Sequence, residues 1–157
     1  MGVCKKKQIE KKIENLQKRC IRNISLKSFK AHTEPLFKTL SILKFSDKLS
    51  HSRAVFMHKY RHNKLPASFS GTFTDTTMTD TMQSRHNDYN YQILPAIKKG
   101  LENFPFKQII FNWNSLSLEL KSTADPIEFD QLFKQQILSQ YSLETDCSVN
   151  CFSCNSI

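Results

Sequence analysis

The sequence predicts a mainly α fold. A basic, helical, thumb-like segment at the front is joined by a long irregular loop to a C-terminal α+β piece with a short strand. Three observations carry this. Apolar residues recur at steps of three and four near the front, the middle and the back of the chain. Helix-start residues precede the later of these runs. A Thr-rich stretch without periodicity separates front from back. The expected divisions are a helical segment over 1–66, the Thr-rich loop over 67–92, the α+β segment over 93–141 and a Cys-containing tail over 142–157.

Residues 5–24 read as a helix, because Ile9, Ile13, Leu16, Cys20 and Ile24 make one apolar stripe. Lys7, Lys11, Lys18 and Arg22 fall on a different face, and Glu14 to Lys18 is a favourable i,i+4 pair. Thr33-Glu34-Pro35 is a cap with Pro in the first turn of a short helix through Leu36, Phe37 and Leu40. Ser46 and Asp47 offer caps for a longer helix ending near Arg61, with Leu49, Phe56, Met57 and Tyr60 as its apolar face. Leu65-Pro66 stops it. From Ser68 to Asn90 the periodicity is gone, and Thr72, Thr74, Thr76, Thr77, Thr79 and Thr81 dominate. Order resumes at Ile93. Lys107–Phe111 is expected as a strand and Trp113–Lys121 as a short helix. Asp125-Pro126-Ile127-Glu128 starts the last helix, with Asp at the N-cap, Pro at N1 and Glu at N3. Phe129, Leu132, Phe133 and Ile137 share its apolar face, with Leu138 and Tyr141 beside it.

The chain has 157 residues, a length that fits one domain. Its 39% hydrophobic content and mean hydropathy of −0.47 are low for a compact globule, but twelve Phe and one Trp can supply a modest core. No apolar run approaches the ~20 residues of a membrane span, and no apolar segment follows the early basic residues as in a secretory signal. The expected location is therefore intracellular, nucleus or cytoplasm, with no membrane partner. In a reducing compartment the five Cys read as thiols or metal ligands.

Charge is the strongest functional signal. Residues 1–30 hold ten basic side chains and two acidic ones, so +8 of the formal +9 lies in the first fifth of the chain. Such a cluster calls for a polyanion. Lys7, Lys11, Lys12, Lys18, Arg19, Arg22, Lys27 and Lys30 are the candidate contacts to a nucleic-acid backbone, with affinity that depends on salt and not on sequence. Phe29, His32 and Phe37 lie among these lysines and could stack bases, although core placement is the ordinary role of such Phe. Met1-Gly2-Val3-Cys4-Lys5-Lys6-Lys7 gives a second reading, a lipid anchor acylated at Gly2 and Cys4. Lys6 stands where that motif wants Ser or Thr. Cys147, Cys151 and Cys154 have the spacing of half a zinc site. A fourth ligand, His86 or Cys4, would have to come through the fold, so a reduced tail without cofactor is expected. His51, His58 and His62 share a helical face that reads as polar. Lys59 stands where a zinc-protease helix needs Glu. Trp113, among Ile109, Ile110, Phe111 and Leu116, is expected as a core anchor.

The order of these elements resembles the region downstream of the polymerase palm in non-LTR (LINE-type) retrotransposon reverse transcriptases. Glu14-Asn15-Leu16-Gln17-Lys18-Arg19-Cys20-Ile21-Arg22-Asn23-Ile24 resembles the family's basic helix. His32-Thr33-Glu34-Pro35-Leu36-Phe37-Lys38, with Leu40, Ile42 and Leu43, resembles its Pro-Leu-Phe segment. Phe56-Met57-His58-Lys59-Tyr60, with Leu65-Pro66 and Phe69, resembles the next helix and its stop. Trp113-Asn114-Ser115-Leu116 and then Phe133-Lys134 with Tyr141 complete the series. The resemblance runs from about Lys5 to Cys154. Two positions depart from it: His86-Asn87-Asp88-Tyr89-Asn90-Tyr91 lacks the Thr-Arg that the family places after His and Tyr, and Ser117 replaces a Pro. The resemblance implies a thumb-like helix that packs on a template–primer duplex, and a palm as further partner.

Catalysis is not expected. Polymerase chemistry needs carboxylates that hold two metal ions, and no two Asp are adjacent in this chain. Asp47, Asp75, Asp80, Asp88, Asp125, Asp130 and Asp146 read as caps and solvated turns. The expectation is a reverse-transcriptase remnant with non-specific RNA or DNA binding. The alternatives are an acylated peripheral-membrane or interaction protein, and a transposon-derived frame with no selected role.

Overall fold

The computed structural model describes residues 2–74, 89–92 and 105–141, with side chains in the first helix from Gln8 onward. Six α-helices follow one another in the described chain: α1 (Gly2–Ile24), α2 (Glu34–Thr39), α3 (Phe45–Arg61), α4 (Pro105–Asn114), α5 (Leu118–Ser122) and α6 (Pro126–Ser139), with a 3-10 turn at Ala67–Phe69. The mainly helical expectation holds. The centre of the Thr-rich loop (75–88), the segment 93–104 and the Cys tail from 142 lie outside the described residues. The chain divides into two compact units, Met1–Leu49 with Lys134–Ile157, and Ser50–Phe133.

In the first unit, Gln17 fastens α1. Its Nε2 donates to the Leu43 carbonyl at 2.8 Å and its Oε1 accepts from the Phe45 amide at 2.8 Å. Ile21 is buried beside it, and Phe37 and Leu43 complete the core there. Arg22 is buried too: its Nε donates to the Ala31 carbonyl at 2.9 Å and its guanidinium lies over the Phe29 ring. Tyr141, just past α6, closes the unit. Its hydroxyl donates to the Asp47 carboxylate and accepts from the Lys44 amide at 3.0 Å, while its carbonyl accepts from Lys38 Nζ at 2.8 Å. Lys44 covers the ring face and pairs with Glu34 at 2.6 Å.

α1, α2 and α3 close in the same way. Lys27, Ile42 and Lys64 each donate a backbone bond five residues back, to Arg22, Phe37 and Lys59. Leu26, Ser41 and Asn63 just before them have φ of 50°, 52° and 52°. This is the left-handed closure that glycine usually provides, and none of the three is glycine.

In the second unit, α3 buries part of a row expected to form a polar face. His51 and His58 are buried, along with Ala54 and Met57, whereas Leu49, Phe56 and Tyr60 are half-buried. The His rings are flat and stack on aromatics of α6: His58 on Phe129 at 4.3 Å and His51 on Phe133 at 5.5 Å. Trp113 is fully buried, as expected. Asp125 caps α6 through both carboxylate oxygens, to the Ile127 and Glu128 amides at 3.3 and 3.2 Å, and Phe129 and Phe133 turn inward while Leu132 stays exposed; Ile137, in the part of α6 that belongs to the first unit, is buried as well.

Two expected elements are corrected. Lys107–Phe111 is not a strand but the middle of α4. A short apolar run cannot by itself choose between helix and strand. Here Ile110 and Trp113, three apart, are buried while Phe111 is exposed, which is helical and not alternating. The helix expected over Trp113–Lys121 is broken at Ser115–Ser117, with α4 ending before it and α5 beginning after it. Among the described residues no extended strand forms, only a single bridge position at Tyr91.

Candidate nucleic-acid interface

The basic candidates separate into three groups once α1 is fixed by Gln17, Ile21 and Arg22. Lys11, Lys12, Arg19, Lys27 and Lys30 are exposed. Lys12 and Arg19 are seven residues apart, so they sit in line two turns from each other, about 10 Å along the axis. Lys11 points about 100° away from Lys12. Lys18 is half-buried and lines a 220 Å³ cavity that also contains Glu14, Glu34 and Lys44, so carboxylates share its surroundings. Arg22 is 5% exposed, with its guanidinium held by Ala31 and Phe29. It holds the turn after α1 in place and leaves little for a phosphate to reach. The Lys7 side chain lies outside the described set, as do Cys147, Cys151 and Cys154 and the side chain of Cys4; Gly2 is the first residue of α1.

The expected stripe of α1 is the largest departure. Ile9, Ile13, Leu16 and Ile24 are 58, 36, 58 and 63% exposed, and Cys20 is an exposed free thiol. The side that packs is instead the one carrying Gln17 and Ile21. Of the aromatics proposed for base stacking, Phe37 is core, His32 is half-buried and Phe29 is exposed beneath Arg22.

The shifted titrations are those of His58, Lys121 and Tyr141. Burial holds the His58 imidazole below its ordinary value, despite the Thr123 carbonyl 2.7 Å from Nε2. That carbonyl places the proton on Nε2, and Nδ1 has no partner. Lys121 is 1% exposed and burial lowers it as well. Its ammonium donates to Asn90 Oδ1 at 2.9 Å and to the Asn114 carbonyl at 3.0 Å. Tyr141 is raised far above the ordinary phenol range, first by burial and then by the Asp47 carboxylate.

The sequence reading missed what the Trp113-Asn114 pair does. Trp113 Nε1 donates to the Tyr89 carbonyl at 2.6 Å, and Asn114 exchanges two hydrogen bonds with the backbone of Tyr91 at 2.8 and 3.1 Å. Arg61 lies over the Tyr89 ring at 4.2 Å. The signal was a Trp-Asn pair in the same chain as a Tyr-Asn-Tyr run, which spacing alone does not connect.

Among the described residues no three metal-capable side chains converge, and no helix is long and apolar enough to cross a membrane. The chain matches no family model, no curated protein and no solved structure.

Proposed function

We propose that the chain derives from the post-palm region of a non-LTR reverse transcriptase. On its own it is a non-catalytic module that holds RNA or DNA by the phosphate backbone. One observation carries the binding reading: Lys11, Lys12, Arg19, Lys27 and Lys30 are exposed on α1 and the turn after it, within a segment of net charge +8. The helix that bears them is fastened by Gln17, Ile21 and Arg22, so the cations are presented from a fixed base. The derivation is supported by the order of the sequence segments, three of which fall on α1, α2 and α3. The lack of an Asp-Asp pair supports the non-catalytic reading.

Filter binding of RNA and DNA duplexes against salt tests this. With about five phosphate contacts, log affinity for a duplex falls against log salt with a slope of about −4.5, regardless of sequence. Lys12→Glu with Arg19→Glu weakens binding and flattens the slope. No binding at low salt, or binding indifferent to salt, overturns the reading.

A further inference from the structure

We infer that the uncovered side of α1, with the turn that follows it, is an interfacial surface for an anionic lipid bilayer. Ile9, Ile13, Leu16 and Ile24 form an exposed row about 22 Å long. Leu26, 93% exposed, follows in the turn after the helix. Leu26 makes the left-handed closure of α1 with a φ of 50°, which costs a residue with a Cβ more than it costs glycine.

Charge decides what covers the row. Exposed Lys12 and Arg19 run along one edge, and exposed Lys27 and Lys30 lie beyond its end. Glu10 and Glu14 fall by helical rotation on the packed side, with Gln17 and Ile21. A second copy of the chain would set like charges against each other at this edge. A nucleic-acid backbone would satisfy the cations but leave isoleucine and leucine in water. An anionic bilayer takes both: the apolar row enters the acyl boundary while the ammonium and guanidinium groups meet the headgroups. The surface is one convex helix with a turn at its end, which suits a plane, and pinning through Gln17, Ile21 and Arg22 lets it engage without unfolding its own unit.

The test is vesicle pelleting of the full chain with phosphatidylcholine alone and with phosphatidylserine mixed in. A parallel RNA filter-binding arm uses the same protein. The expected result is binding to the serine-containing vesicles at least about tenfold tighter than to phosphatidylcholine. Leu16→Asp reduces vesicle binding by at least about tenfold and Leu16→Ser by a smaller factor. Leu16→Ser leaves RNA affinity within about twofold, because it removes apolar surface without adding charge, whereas Leu16→Asp sets a carboxylate beside Lys12 and Arg19 and weakens RNA binding as well. Leu16 is exposed, so both variants keep the helical circular dichroism of the parent. The inference is overturned if neither vesicle binds, if both bind equally, or if Leu16→Asp binds as well as the parent. Loss of RNA affinity on Leu16→Ser without vesicle binding would assign the row to nucleic acid. A dimer that Leu16→Asp dissolves, again without vesicle binding, would assign it to a second copy. Failure of the backbone-binding reading is seen separately, in the salt dependence of the RNA arm.

Discussion

In α6, Phe129, Phe133 and Ile137 are at most 9% exposed, whereas in α1 the corresponding series Ile9, Ile13, Leu16 and Ile24 is 36–63% exposed. Both helices place apolar residues at steps of three and four, and both have a polar side. The difference lies in what the chain supplies opposite them. α6 meets flat partners, because His51 and His58 of α3 stack on its Phe rings and Trp113 lies 6.0 Å from Phe129. For α1 the polar Gln17 reaches the backbone at Leu43 and Phe45, and the helix docks by that side, away from its stripe. Periodicity identifies a side that gains from leaving water. It does not say whether the same chain covers it.

The contrast can be tested directly. Phe129→Ala should lower stability by about 3–5 kcal/mol, as large-to-small changes at a buried aromatic do. Leu16→Ala should change it by less than about 0.5 kcal/mol. Urea denaturation of the two variants measures both, and equal losses would mean that α1 is covered after all. Tyr141→Phe should cost about 1–3 kcal/mol, because the Lys44 amide loses its acceptor and the Asp47 carboxylate its donor.

Acid is a milder probe of the α3–α6 stacking. His58 has a lowered value in the fold, so below its unfolded value of 6.5 the unfolded chain binds more protons than the native one. Stability is full above that pH and falls as pH drops toward the native value, by at most about 1.4 kcal/mol per pH unit for this one group. His58→Gln keeps an N–H for the Thr123 carbonyl and should flatten the decline. An unchanged slope in that variant would show that the acid sensitivity comes from elsewhere. The smallest effect runs the other way: Leu26→Gly should raise the unfolding midpoint by the equivalent of about 1 kcal/mol, because glycine adopts the positive φ without steric cost. If it does so while weakening vesicle binding, strain and lipid contact reside in the same residue.

Most helix positions were legible because their signals are local. The Asp125-Pro126 start, the stop near Arg61 and the basic helix at the front need only residues within a few positions of one another. The strand expected at Lys107–Phe111 failed because five residues do not distinguish the two periods, and the burial of Ile110 and Trp113 is set by distant partners. The buried His row failed for a related reason. Histidine reads as polar until a flat apolar ring is known to lie against it, and Phe129 is 71 residues from His58. The candidate surface was half legible. Its charge is plain from composition, but the removal of Arg22 to the interior and the uncovered stripe depend on which side of α1 docks.

Asn114 holds Tyr91 with both ends of one carboxamide, donor to carbonyl and amide to acceptor. That side chain does the work of a neighbouring strand one residue long. A peptide group outside regular secondary structure is thereby given the protection of a ladder. Amide exchange at Tyr91 should consequently be slow in a segment where the backbone pattern alone would forecast rapid exchange, and Asn114→Ala, which removes the acceptor of the Tyr91 amide, should release it.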